Sequence, residues 1–180
     1  MKNKFNLKKA SKNNKVFLGG TFGDSNWREE LIPMLEISYF NPIVDDWNEA
    51  AQKREIKERE NCDFCLYVLT PEMEGVYSVA EVVDDSNKRP EKTILCVLIE
   101  INDKTFTPAQ EKSLDRVCAM VEENGAKICE DLEEVAEYLN KKWKGLLMKV
   151  KNLNDYQEKT RETAIYPKIG DIYVYPILGL

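Results

Sequence analysis

The sequence predicts an α/β fold: a flavodoxin-like, doubly wound, five-stranded parallel sheet with helices on both faces, plus a C-terminal helical and irregular appendage. Three observations lead there. Two runs, Asp63-Phe64-Cys65-Leu66-Tyr67-Val68-Leu69 and Thr93-Ile94-Leu95-Cys96-Val97-Leu98-Ile99, are almost uninterruptedly apolar, the mark of strands covered on both faces. Between Lys15 and Trp143, strand-type runs alternate with stretches of helical periodicity. The chain has 180 residues, 43% of them hydrophobic, enough for about one domain that builds its core without staples.

The elements follow in order. Lys15-Val16-Phe17-Leu18-Gly19-Gly20 is a first strand ended by glycines. Trp27, Leu31, Met34 and Leu35 recur at helical spacing opposite Arg28, Glu29 and Glu30, with Ser25 or Asn26 as the cap. Residues 38–44 form a second strand cut short by Pro42, and the charged stretch from Asn48 to Asn61, without Gly or Pro, forms the next helix. The third strand, 63–69, leads through a loop from Pro71 to Gly75 into a helix from Val76 to Asp85. After the fourth strand, 93–99, Leu114, Val117, Cys118 and Val121 make a helical stripe that stops near Asn124-Gly125. Lys127-Ile128-Cys129 is the last strand, and Leu132, Val135, Ala136, Leu139 and Trp143 are the last stripe. The expected organisation is a basic tail over 1–14, the α/β domain over 15–147 and the appendage over 148–180, with a separate polar helix from Asn154 to Ala164.

Composition excludes whole classes of chemistry. There is no histidine, which removes Ser–His–Asp and Cys–His systems and His-ligated metal sites. Acid–base chemistry then falls to carboxylates, tyrosine, lysine or cysteine. Five cysteines read as reduced thiols of a cytoplasmic protein, and Cys62-x-x-Cys65 reads as core rather than redox or metal chemistry. Net charge is −6, with six lysines and no acid in the first 15 residues. Setting those six lysines aside leaves 20 bases against 32 acids, so the body is a poor nucleic-acid groove. No apolar run is long enough for a membrane span or a secretory signal.

Ligands of open α/β sheets bind beyond the carboxyl ends of the strands, where strand order reverses. Here that point lies between the first and third strands, at the loops from Gly20 to Asn26 and from Thr70 to Gly75. Glu81 stands about one turn into the following helix, and Asp45 and Asp46 lie past the second strand on the same rim. The result is a carboxylate-lined crevice with glycines that permit close backbone approach. On chemistry alone the same residues read equally well as a solvated acidic rim. The Gly19-Gly20 to Gly23 loop fits neither a dinucleotide fingerprint nor a P-loop.

These residues carry a resemblance. Val16-Phe17-Leu18-Gly19-Gly20-Thr21, Asn26-Trp27-Arg28, Asn41-Pro42, Asp45-Asp46-Trp47, Glu55 eight residues before Asp63, and Ser78-Val79-Ala80-Glu81 together resemble the nucleoside 2-deoxyribosyltransferase-like family over roughly residues 15–145. The resemblance implies that Glu81 attacks C1′ of a 2′-deoxynucleoside, or its 5′-monophosphate, to form a glycosyl-enzyme ester. A second base, or water in a hydrolase, then takes the sugar. It implies that Glu55 holds Glu81 or the sugar hydroxyls and that Asp45 or Asp46 positions or protonates the base. Phe22 and Trp27 would stack on the base, and Gly20, Thr21, Asp24, Glu74 and Ser78 would complete the substrate site. Retaining glycosyl transfer runs on carboxylates, which suits a chain without histidine and asks for no metal or organic cofactor. Family members complete their sugar pockets from a neighbouring chain, so a homo-oligomer is expected. Tyr77 and Val83 stand where the family usually has glycine, which keeps a non-catalytic nucleotide sensor as the alternative from another class.

Asn152-Leu153-Asn154-Asp155-Tyr156-Gln157, Thr160-Arg161, Ala164, Tyr166 and Tyr175-Pro176-Ile177-Leu178-Gly179-Leu180 resemble the opening of a MazG-type nucleoside triphosphate pyrophosphohydrolase domain. That resemblance implies a magnesium-holding Glu-x-x-Glu helix after the last leucine. The sequence stops at Leu180, so the segment is expected to dock rather than to catalyse.

Overall fold

The computed structural model describes residues 15–163 except Asp24, Asp45 and Trp47, together with residues 168–169 and 172–173. The basic segment 1–14 and most of the aromatic C-terminal end lie outside the described residues. The described chain falls into two units, one up to Trp143 and one from Lys144.

The first unit is built on β1 (Lys15–Gly20), β2 (Ser38–Phe40), β3 (Phe64–Leu69), β4 (Thr93–Val97) and a later strand over Lys127–Cys129. They pair in parallel in the order second, first, third, fourth, last, the flavodoxin-like arrangement. Both faces of the sheet are covered, and the two-residue alternation of a strand decides which side chain goes where. Val16, Leu18, Leu66, Val68, Ile94 and Cys96 point to one side and pack against Trp27 and Leu31 of α1 (Trp27–Leu31). Phe17, Cys65, Tyr67, Leu69 and Leu95 point to the other and pack against Val82 of α3 (Tyr77–Lys88) and against Leu114 and Val121 further along. Complete burial of such side chains contributes about 1.5–3 kcal/mol each, so the core fixes the sheet.

Local chemistry sets the boundaries. Pro33 ends α1 after five residues, and the chain finishes the segment as a single 3₁₀ turn, Ile32–Met34, instead of the longer helix the stripe suggests. β2 stops at Phe40, before Pro42. Asn48 caps α2 (Glu49–Asn61), its Oδ1 accepting from the backbone N–H groups of Ala50 and Ala51. β4 ends at Val97, two residues earlier than its apolar run. The chain then folds into a small antiparallel hairpin of β5 (Glu100–Ile101) and β6 (Lys104–Thr105), which the sequence reading did not foresee. Its turn residues, Asn102 and Asp103, both have positive φ, 50° and 60°, as a two-residue hairpin turn demands. A capping box from Thr107 and Gln110 opens α4 (Pro108–Glu123), which leads by Gly125 to β7 (Lys127–Cys129).

α5 begins at Leu132, and Leu132, Val135, Ala136 and Leu139 join the core beside α1. It is helical to Thr163, through the break expected at residue 148, because the stretch from Leu146 contains neither Gly nor Pro. The second unit holds the later part of α5 and the antiparallel pair β8 (Lys168–Ile169) and β9 (Ile172–Tyr173). Residues 152–163 are therefore helical, and Ala164, Tyr166 and residues 174–180 lie outside the described residues.

The end of β1 is where this fold is least tolerant of change. Gly20 has φ +117°, and a Cβ there would lie 2.1 Å from the Val68 carbonyl oxygen of the neighbouring strand. Gly20→Ala should therefore lose at least ~2 kcal/mol of stability in urea unfolding. Gly75→Ala, in open space with no positive φ, should change stability by less than ~1 kcal/mol. Equal effects of the two substitutions would contradict this placement of the strands.

Candidate active site

The crevice forms where β1 and β3 end. Thr21 N–H donates to the Val68 carbonyl, and Thr70 N–H donates to Thr21 Oγ1, so the two loops leave the sheet tied together. Arg28 reaches back beneath them. Its guanidinium donates to the carbonyls of Leu18, from Nε and Nη2, and of Thr21, from Nη1, at 2.8–3.3 Å. Burial pulls Arg28 down to about 10, which leaves it charged at neutral pH. Ser78 Oγ donates to the Gly20 carbonyl at 3.1 Å and so fixes the start of α3 against the β1 turn.

Two adjoining cavities open here and share Gly20, Phe22, Tyr77 and Ser78. The first, about 380 Å³, is lined also by Arg28, Pro42, Gln52, Glu55, Ile56 and Glu81. The second, about 550 Å³, takes in Thr21, Glu72, Glu74, Gly75 and Lys104. The structure thus brings together Glu81, Glu55, Gly20, Thr21, Phe22, Glu74 and Ser78 from those the sequence singles out. Phe22 and Tyr77, 61% and 74% exposed, stand at the boundary of the two cavities.

Other candidates fall elsewhere. Trp27 does not offer a stacking face: it is 0% exposed, its Nε1 donates to the Thr21 carbonyl, and its ring packs in the core under Arg28. Its place at the apolar start of α1 makes it part of the floor that holds the loop. Asp46 is exposed, accepts from Asn48 Nδ2, and lines neither cavity. Asp24 and Asp45 lie outside the described residues.

Glu81 is the most unusual group in the crevice. It is 9% exposed, and Arg59 Nη1 donates to its Oε1. Burial raises its pKa above the ordinary glutamate value; Arg59 opposes that shift and the charge of Glu55 adds to it. Among the described residues Oε2 has no hydrogen-bond partner, and it is not sealed from solvent. Arg59 is in turn held by Asp85, which accepts from its Nε and Nη2 at 3.2 and 3.0 Å. Asp85 also accepts from Arg89 Nη2 at 2.6 Å and from Tyr67 Oη at 2.7 Å. Burial works against the charge of Asp85, yet the hydrogen bonds from Arg89, Tyr67 and Arg59 hold its pKa below the usual carboxylate range.

The sequence reading missed Arg59, Tyr67 and Asp85. A signal existed: Glu55 and Arg59 are four apart on α2, as Glu81 and Asp85 are on α3, so each helix presents its pair on one face. It also missed Lys104, which the β5–β6 hairpin brings to Glu72 at 3.1 Å. Asn102 Nδ2 donates to Glu72 and to Asn26 Oδ1, which ties the hairpin to the rim. Cys62 and Cys65 are buried, free and raised to about 12 by burial, so neither is a ready thiolate. Among the described residues no cluster of three or more His, Cys, Asp or Glu side chains is arranged to hold a metal ion, and no helix is long and apolar enough to cross a membrane.

A family model described as nucleoside 2-deoxyribosyltransferase like matches residues 13–98. The chain is similar to that family from β1 through β4. The matched stretch includes Gly20, Glu55, Arg59, Glu81 and Asp85, and it ends before the Lys104 hairpin. It supports a nucleoside-related, glycosyl-transfer function at the level of the family. No curated protein matches the chain.

The Asp85 cluster makes stability depend on pH in a defined sense. Because the folded-state pKa of Asp85 is depressed, its stabilisation is complete above the ordinary Asp value of about 3.9 and is lost as pH falls through the lower folded value. Asp85→Asn should cost about 3 kcal/mol at neutral pH, since it removes the charge that pairs two partly buried arginines. The gap between wild type and variant, followed by urea unfolding, should narrow steadily below about pH 4. A gap that stays constant from pH 7 to pH 3 would contradict this assignment.

Proposed function

We propose that the protein cleaves the N-glycosidic bond of a 2′-deoxynucleoside, or its 5′-monophosphate, and transfers the sugar through a covalent ester at Glu81. The observation that carries this reading is the state of Glu81: a buried carboxylate with one oxygen fixed by Arg59 and the other unbonded in a cavity it shares with Glu55. The family match over residues 13–98 supports the same chemistry.

In the first step a lone pair of Glu81 Oε2 forms a bond to C1′ as the C1′–N bond breaks. The electron pair leaves on the base nitrogen, which takes up a proton from Asp45 or from water. In the second step the nitrogen of an incoming base attacks C1′ and passes its N–H proton back to that same donor, while the electron pair of the breaking C1′–O bond returns to Oε2. The transition state is oxocarbenium-like, and the nearby carboxylates Glu81 and Glu55 stabilise its positive charge. Glu55 holds the sugar hydroxyls, Phe22 supplies an exposed face for the base, and Glu74 and Ser78 complete the second cavity. The protein works in the cytoplasm as a homo-oligomer; the exposed Phe22 and Tyr77 at the crevice mouth support closure by a neighbouring chain.

Incubation with a panel of 2′-deoxynucleosides and 5′-monophosphates, with and without a free base, tests the proposal. Base exchange that needs the acceptor is the expected result. Base release without acceptor points to a hydrolase, and no release from any donor leaves a nucleotide sensor. Since Glu81 is buried against Arg59, Glu81→Gln is a cleaner variant than Glu81→Ala. It should lose at least ~1000-fold in kcat, as removal of an essential nucleophile does, while keeping the fold. Exchange at the wild-type rate in Glu81→Gln would sink the mechanism.

A further inference from the structure

Glu81, which lines the first cavity, is bonded to a cation that comes from another helix and is anchored by a third group. Arg59 sits in the last turn of α2 and is 13% exposed, and its guanidinium spans two residues of α3, Glu81 and Asp85, one helical turn apart. Two of its nitrogens are occupied by Asp85, which is completely buried and is itself fixed by Tyr67 and Arg89. The guanidinium therefore has little freedom to follow Glu81 if Glu81 moves. An arginine tied in this way is a rigid fork, which a lysine ammonium on a flexible stem is not.

We propose that Arg59 is the positioning residue of Glu81: it fixes Oε1, keeps the carboxylate charged inside the cavity, and thereby aims Oε2 at C1′. The inference rests on the assignment of Glu81 as nucleophile. Asp85 gives the arrangement its second function. When Glu81 becomes an ester its negative charge is gone, and Asp85, with Asp84 at 3.6 Å, still compensates Arg59. The covalent intermediate then leaves no unpaired guanidinium in the site, which makes ester formation less costly than it would be beside a lone arginine.

Among the described residues the charged and titratable groups around Glu81 are few. Arg59 and Glu55 face it from α2, Arg28 lines the same cavity from α1, and Asp85 lies one turn along its own helix. Tyr67 of β3 and Arg89 act through Asp85. Of these, Arg59 is the cation bonded to Glu81. Its removal must move the carboxylate further above its ordinary value, so that a larger share is protonated and inert at a given pH.

The test compares wild type, Arg59→Met and Arg59→Lys by steady-state kinetics across pH, and by ¹³C NMR titration of the Glu81 carboxyl, assigned with Glu81→Gln. Arg59→Met should lower kcat about 100-fold, the effect of a slightly misplaced nucleophile, with KM changed less than about threefold. The acid limb of its pH profile and the NMR midpoint of Glu81 should both move up by about one unit or more. Arg59→Lys should recover part of the midpoint shift but less of kcat, because it restores charge without the fork. Wild-type kcat and an unmoved acid limb in Arg59→Met would overturn the proposal. Should Arg59→Met not fold, Arg59→Lys decides by the same signs: kcat at the wild-type level counts against the fork. The titration separates this inference from the reading it rests on. If the wild type transfers no deoxyribosyl group, the transfer reading fails while the Glu81 midpoint still reports on Arg59, and an unmoved midpoint overturns the proposed control.

Discussion

Everything in the crevice depends on how the chain turns at the end of β1. Gly20 lies so close to Val68 that no side chain fits, and its positive φ sends the chain away from the sheet at that point. Four other groups converge on the same turn. Thr21 bonds to β3 and Thr70, Arg28 and the indole of Trp27 bond to its carbonyls, and Ser78 bonds to Gly20 itself. The last of these matters most, because Ser78 stands in the first turn of α3 and Glu81 follows three residues later. The glycine turn thus sets the distance between the β1 loop and the buried carboxylate. A change at Gly20 would be felt at Glu81 through the start of the helix.

The second constraint is electrostatic. A chain without histidine has to do its chemistry with groups whose ordinary pKa values lie far from neutrality. Burial raises Glu81, and Arg59 restrains the rise, so two opposed influences meet on one carboxylate. Asp85 is the opposite case, a carboxylate that burial disfavours but three donors hold in its charged form. Two acids one turn apart on α3 are therefore held differently: Asp85 accepts from Arg59, Arg89 and Tyr67, whereas Glu81 has one oxygen without a hydrogen-bond partner among the described residues. Environments that push like groups apart in this way are how acid and nucleophile roles become distinct.

The sheet was legible because its central strands are continuous apolar runs and because strands alternate with helices, which makes it parallel and doubly wound; its strand order is seen in the structure. The short elements were not. Pro33 outweighed the Trp27-to-Leu35 stripe, and the β5–β6 hairpin has two-residue strands with no periodicity to detect; its only sign was the Asn102-Asp103 turn pair. Within the crevice, Glu81, Phe22 and Ser78 could be found because they sit in the loop and on the helix that flank the switch point, whereas Glu55, on α2, comes only from the family resemblance. An aromatic beside a binding loop suggests stacking, but the environment of Trp27 is the core. Arg59 went unnoticed because α2 has no apolar stripe and reads as a solvated helix. Its burial is produced by tertiary contact with α3, which the i, i+4 pairing of Glu55 with Arg59 only hints at.

The central claim is that Glu81 forms a bond to the sugar, and intact-mass spectrometry addresses it most directly. Wild-type protein mixed with a 2′-deoxynucleoside in the absence of acceptor base should gain the mass of one deoxyribosyl group. Peptide mapping after acid quench should place that group on Glu81. Base release with no adduct trapped, or an adduct on a different carboxylate such as Glu55, would contradict the account.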